Sequence, residues 1–299
     1  MNTILIGFYI LLISFTTYAN EPLFADYVSA NNTDPQALSE QLKKNHREHF
    51  ARLLDYQKEL HSVHPLFGQF YPVAIVKENY FFLFEVDESG SEYEFSLYSK
   101  SEMPLPEALR AAFPLEFHDD KPAVVITEDA FDTKSEYALI FHEFVHCFQF
   151  DTAEPELRAN LPLAQKALEE EDYMWELAYP FPYDDPEFAG YYTRFLGKLE
   201  NQEINMERLF ELRRNIKRIT EDFDYQYMVW QEWKEGFALF IENQVREKLN
   251  LPENRVGRQA PYDRTVFYAG GAAFIRFLVN DQPELLTDLK MLFEAISAQ

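Results

Sequence analysis

The spacing of apolar and polar residues changes period twice along the chain. From residue 35 to about residue 60 the apolar positions recur every three or four residues. Leu38, Leu42, His49, Leu53, Tyr56 and Leu60 fall on one stripe, which predicts an amphipathic helix. Thr33-Asp34-Pro35 supplies its start, a capping side chain followed by proline at the first helical position. Between residues 71 and 98 the period shortens. YPVAIV, NYFFLFEV and EYEFSLY are aromatic and β-branched runs, and in the last of them Tyr93, Phe95 and Leu97 share one face. Asp87-Glu88-Ser89-Gly90 reads as a turn between two strands. PAVVIT at residues 122–127 adds another, so the pattern predicts a sheet of about four strands.

Helical periodicity returns at Thr133-Lys134-Ser135-Glu136, a capping box with threonine at the N-cap and glutamate three residues on. The helix it opens has Tyr137, Ile140, Phe141, Phe144, Val145 and Phe148 on one side and Ala138, Leu139, His142, His146 and Gln149 on the other. One side is expected to pack and the other to carry chemistry. Further helices are expected at about 161–178, 186–199, 203–219, 223–249, 262–279 and 283–297. The break at residues 179–186, Tyr-Pro-Phe-Pro-Tyr-Asp-Asp-Pro, is a rigid aromatic loop. The fold class is therefore α+β, with a small sheet preceding a mainly helical part. The expected organisation is a signal segment at 1–19, a helix-and-sheet part at 20–150 and a helical part at 151–299.

Composition narrows the class. Hydrophobic residues make up 47 % of the chain and aromatic residues 16 %, which supports a folded core and excludes disorder. The net charge of −24 opposes binding to nucleic acid or to anionic membrane surfaces. Residues 4–15 form an uncharged apolar run, and Thr17-Tyr18-Ala19 offers small residues for cleavage after Ala19. This predicts export to a periplasmic or extracellular location, with an uncleaved N-terminal anchor as the alternative. No comparable run follows, so no stable membrane insertion is expected after cleavage. The single cysteine, Cys147, rules out a disulfide scaffold and reads as a small core residue.

The candidate chemistry lies in His142-Glu143-Phe144-Val145-His146. Histidines four apart on a helix stand one turn apart on the same face, where both imidazoles reach one ion. The intervening glutamate can hold a water beside that ion and take its proton. This is the HExxH pattern of zinc hydrolases. Such a site needs a third protein ligand and one open position. All seven histidines lie at or before His146, and Gln149 and Thr152 stand where an HExxHxxGxxH pattern requires Gly and His. The third ligand is then a carboxylate, unless an upstream histidine folds back. His46 and His49 form a helical HxxH, a weak signal that adds little.

The richest carboxylate stretch is residues 230–242, WQEWKEGFALFIE. HEFVH followed by WKEGFA resembles the gluzincins, metallopeptidases in which a second helix donates a glutamate to the zinc. The resemblance implies a zincin-like fold with Zn²⁺ held by His142, His146 and Glu235, and Glu143 as general base. It covers only these two helices. Eighty-eight residues, 147 to 234, separate His146 from Glu235, and the aminopeptidase anchoring motif Gly-Ala-Met-Glu-Asn is absent. Glu232 is the reserve ligand. Glu242 is a candidate acceptor for a ligating histidine, or else a solvated acid. Similar gluzincins place a tyrosine downstream as oxyanion donor, a role that falls here to Tyr268, with Tyr262 as competitor. Gly270 and Gly271 permit that helix to approach a neighbour closely. The expected activity is a secreted zinc-dependent peptidase acting on peptides or proteins. The alternative is a non-catalytic binding module of the same fold with a structural zinc.

Overall fold

The computed structural model describes residues 34–102, 104–200 and 206–298. The expected signal segment and leader lie outside them. The chain divides into two compact units, with the boundary between Cys147 and Phe148.

The first unit opens on α1 (Pro35–Leu60), capped by Asp34, whose side chain accepts from the Gln36 amide at 3.0 Å. Its buried stripe is centred on Leu42, His46, Phe50, Leu53 and Leu60, so His46 rather than His49 faces inward. Phe50 carries the packing onto the sheet, with ring centroids 4.8 Å from both Phe84 and Tyr93. The sheet contains β1 (Val73–Lys77), β2 (Tyr80–Val86), β3 (Tyr93–Lys100), β4 (Arg110–Leu115) and β5 (Lys121–Thr127), in the order β3-β2-β1-β5-β4. β1 and β2 form a two-residue hairpin through Glu78 and Asn79, both at positive φ, the turn geometry that matches strand twist. β1 and β5 pair in parallel, Val73 opposite Val124, and lie at the centre with both faces buried.

β4 is the strand the sequence pattern does not reveal. Arg110-Ala-Ala-Phe-Pro-Leu has no β-branched residue and holds a proline, which an edge strand tolerates. Its first residue explains its position. Arg110 is buried and donates to Thr127 Oγ1 (3.1 Å), Asp129 Oδ2 (2.8 Å) and Glu136 Oε2 (2.9 Å), joining β4 to the exit of β5 and to the next helix.

That helix is α2 (Lys134–Thr152). The Thr133 hydroxyl accepts from the Glu136 amide at 3.3 Å, as a capping box requires. The Glu136 carboxylate accepts from Arg110, so the cap serves the sheet as well as the helix. Every residue from Ile140 to Gln149 is buried, so the side that carries His142 and His146 is enclosed as well as the packing side. Cys147 is fully buried, as expected of a core residue.

The second unit is helical among the described residues: α3 (Glu154–Ala159), α4 (Pro162–Glu169), α5 (Trp175–Ala178), α6 (Pro186–Glu200), α7 (Met206–Ile219), α8 (Asp222–Lys248), α9 (Thr265–Asp281) and α10 (Leu289–Ser297). The expected helix 161–178 is broken after Glu169, where Glu171 adopts φ 56°. The expected helix 283–297 is a short 3₁₀ turn followed by α10. α8 is the centre of this unit. It is buried on all sides from Tyr227 to Asn243, the signature of an interior helix. Asp222 and Asp224 in its first turn, and Arg246 and Lys248 in its last, oppose its dipole. α8 and α9 touch backbone to backbone at a pair of glycines. A Cβ on Gly236 would stand 2.6 Å from the Gly271 Cα, and one on Gly271 would stand 2.3 Å from the Glu232 carbonyl oxygen. No helix among the described residues is long and apolar enough to cross a membrane.

Candidate metal centre

On α2, His142 and His146 lie one turn apart and are both buried, with Nε2 atoms 3.2 Å apart. Two nitrogens held about 2.0–2.1 Å from one tetrahedral ion stand about 3.3 Å apart, so this pair has the separation of two ligands. The rings are inclined at 73°, with centroids 4.9 Å apart. Glu143 lies between them in sequence and is 3 % exposed.

On α8, Glu235 precedes the glycine of the α8–α9 contact and is itself buried. Gln149, one turn past His146, donates Nε2 to the carbonyls of Trp233 (3.2 Å) and Lys234 (3.0 Å). The end of α2 is therefore tied to the turn of α8 that carries Glu235. Among the described residues, His142, His146 and Glu235 form a group able to hold a metal ion, all three buried, with ligand atoms within 4.8 Å of one another. Two imidazoles and a carboxylate are the donor set of a three-ligand site that retains an open position.

The reserve candidates are placed elsewhere. Glu232 is fully buried against Arg213, which donates from both Nη atoms, the first at 2.7 Å from Oε1, while the Tyr192 hydroxyl donates to Oε1 at 2.8 Å. A carboxylate so engaged is structural. Glu242 is 1 % exposed and accepts from Arg246 (2.5 Å) and Asn254 (3.1 Å), which removes the reading of a solvated acid. His46 Nε2 pairs with Glu128 at 2.9 Å, and His49 Nδ1 with the Tyr137 hydroxyl at 2.9 Å. Tyr262 bonds Thr193 on α6 at 2.7 Å. Tyr268 sits in the first turn of α9, 8 % exposed, with the Arg264 guanidinium carbon 5.8 Å from its ring centroid.

Two features of this neighbourhood carry no sequence signal. The first is a buried charge quartet. Lys234 donates Nζ to Glu154 Oε1 and Glu176 Oε2, both at 2.9 Å, and Arg158 bonds the same two carboxylates, the first at 2.6 Å. Burial disfavours the Glu154 carboxylate, but Lys234 and Arg158 outweigh it and hold its pKa down at about 2. The quartet fixes α3 and α5 to the residue beside Glu235, although its members are 80 positions apart in places. The second is Arg264. Burial opposes its charge, yet Tyr268, Glu235, Tyr227 and Tyr183 raise its pKa above the ordinary value. Burial also pushes the Tyr227 hydroxyl up to about 12.

Comparison with protein-family models, curated proteins and solved structures finds no match to this chain.

Proposed function

We propose that the chain is an exported zinc-dependent peptidase of gluzincin type with a zincin-like fold. The observation that supports it most is the buried group of His142, His146 and Glu235, whose ligand atoms lie within 4.8 Å of one another. Export rests on the apolar run at residues 4–15, which lies outside the described residues.

A zinc ion bound by these three residues would supply Lewis acidity, polarising the scissile carbonyl and lowering the pKa of water toward neutrality. Glu143, on the same helix as both imidazoles, takes the proton from the attacking water and delivers it to the leaving amine. The Tyr268 hydroxyl donates to the oxygen that gains charge as the carbonyl is attacked. The buried surroundings strengthen both interactions by excluding water. Glu143 suits a base because a purely structural zinc has no use for a carboxylate between its two histidines.

The test combines metal analysis with peptide cleavage. One zinc per chain and chelator-sensitive hydrolysis of a peptide library are expected. Glu143→Gln should keep the zinc and lower turnover by about 10²–10⁴-fold. Full activity in that variant would sink the mechanism, and failure to take up zinc would sink the metal reading.

A further inference from the structure

α8 ends on a Schellman cap. Asn250 takes a left-handed φ of 55°, and the amides of Asn250 and Leu251 return to the carbonyls of Glu247 (3.0 Å) and Arg246 (2.8 Å). This folds the following loop back along the helix. Asn243 and Asn254 fasten it there: the Asn254 amide donates to Asn243 Oδ1 at 2.7 Å, and Asn243 Nδ2 donates to the Asn254 carbonyl at 3.2 Å. Between this loop, α8 and α9 lies a cleft of about 490 Å³, a size that suits a small molecule. Phe240, Gln244 and Glu247 line it from one stripe of α8, Leu251 and Glu253 from the loop, and Arg276 from α9. All of them belong to the second unit, and none takes part in the candidate metal centre.

The polar groups of this cleft differ in how far they are already engaged. Glu253 accepts from Arg258 at 2.5 Å. Arg276 is half-exposed, and its Nη2 stands 3.6 Å from Glu253 Oε1, too far for a hydrogen bond. Glu247 is exposed, and its carboxylate makes no hydrogen bond or ion pair among the described residues. It lies in the last turn of α8, where the helix dipole also favours a cation. Gln244 Nε2 is buried without an acceptor, and rotation of the terminal amide, a soft torsion, would turn it toward a ligand oxygen. One acid and one base are thus left for a ligand, beside the apolar surface of Phe240 and Leu251. A purely anionic ligand would meet Glu247 and Glu253, and a purely cationic one would meet Arg276. A zwitterion answers both charges, and an apolar side chain on it would cover Phe240 and Leu251.

We propose that this cleft binds a zwitterion with an apolar side chain, a free α-amino acid or a short peptide, with its ammonium at Glu247 and its carboxylate at Arg276. A guanidinium fork fits a carboxylate with two parallel hydrogen bonds. The site is separate from the candidate metal centre, and the proposal stands whether or not that centre binds zinc.

Calorimetry on the full chain tests it with L-leucine, leucyl-leucine, leucinamide and N-acetyl-leucine. The first two carry both charges, and the last two carry one each. A zwitterion should bind about three- to tenfold more tightly than either singly charged probe. Glu247→Gln should remove the preference over N-acetyl-leucine and keep that over leucinamide, and Arg276→Gln should do the reverse. Both side chains are exposed, so both variants should melt with the parent. Tighter binding of leucine would assign the cleft to free amino acids, and tighter binding of leucyl-leucine would assign it to short peptides. No saturable binding of either zwitterion up to about 10 mM overturns the proposal, whether or not the variants fold. So does binding that follows only one of the two charges, or binding that both variants leave unchanged, because the ligand then sits elsewhere. Zinc-loaded and chelator-treated samples are run side by side. Binding that disappears on chelation belongs to the metal centre and likewise overturns the proposal.

Discussion

Two glutamates three residues apart on α8 do different work, and their surroundings say which. Glu232 is locked to Arg213 and Tyr192, while Glu235 joins the two histidines. Glu235→Gln should abolish tight zinc binding while the fold persists, because an amide is a poor replacement for a charged ligand. Glu232→Gln should leave zinc stoichiometry unchanged and destabilise the protein by about 3–5 kcal/mol, since Arg213 would be left buried without its counter-charge. Metal titration and denaturant unfolding of the two variants separate these roles. The two histidines of the candidate site were legible from spacing alone, because two imidazoles on adjacent turns can hardly avoid facing one point. Choosing Glu235 over Glu232 needed the resemblance, as both lie on one face. Arg264 and the partners of Lys234 were not legible at all. Long-range pairing of single charges leaves no period in a sequence.

At the scale of elements, α1, α2, α8 and α9 were readable within a few residues because each carries a long apolar pattern. β4 was not, since its edge position lets it carry Arg110 and Pro114 in place of β-branched residues. The break after α4 was hidden because nothing in residues 170–174 is a glycine or proline. The charge quartet sets the acid response of the α3–α5–α8 cluster. Glu154 has a folded pKa of about 2 against an ordinary 4.5, so its stabilising contribution is complete above about 4.5 and disappears as pH falls toward 2. Lys234→Met removes one of its two cations and raises that folded pKa. The variant should therefore lose stability at a higher pH than the parent on acid titration, and should be less stable at pH 7 by about 3–5 kcal/mol. Thermal melts of both proteins from pH 7 to 2 read the difference. Coincident profiles would show that the quartet is energetically silent.

For the whole molecule, metal uptake is a stability statement. A ligand bound only by the native state stabilises by about 4 kcal/mol at a thousandfold excess over its dissociation constant. Zinc should raise the melting temperature and a chelator should reverse the gain. An unchanged melt across that titration would mean that the three buried ligands do not act as one site. The charge of −24 leads to a second expectation, that binding to DNA or to anionic vesicles is absent at physiological salt, measured by retention on either.

The glycine contact between α8 and α9 has a consequence for descent. Neither Gly236 nor Gly271 can gain even a methyl group without displacing the other helix, so neither position can drift alone. The two stand 35 positions apart, 236 and 271, one beside the third candidate ligand and one a turn past Tyr268. A chain that keeps this helix contact must keep both positions small. The paired glycines thus mark the helix contact itself, independently of what the candidate metal-binding residues do.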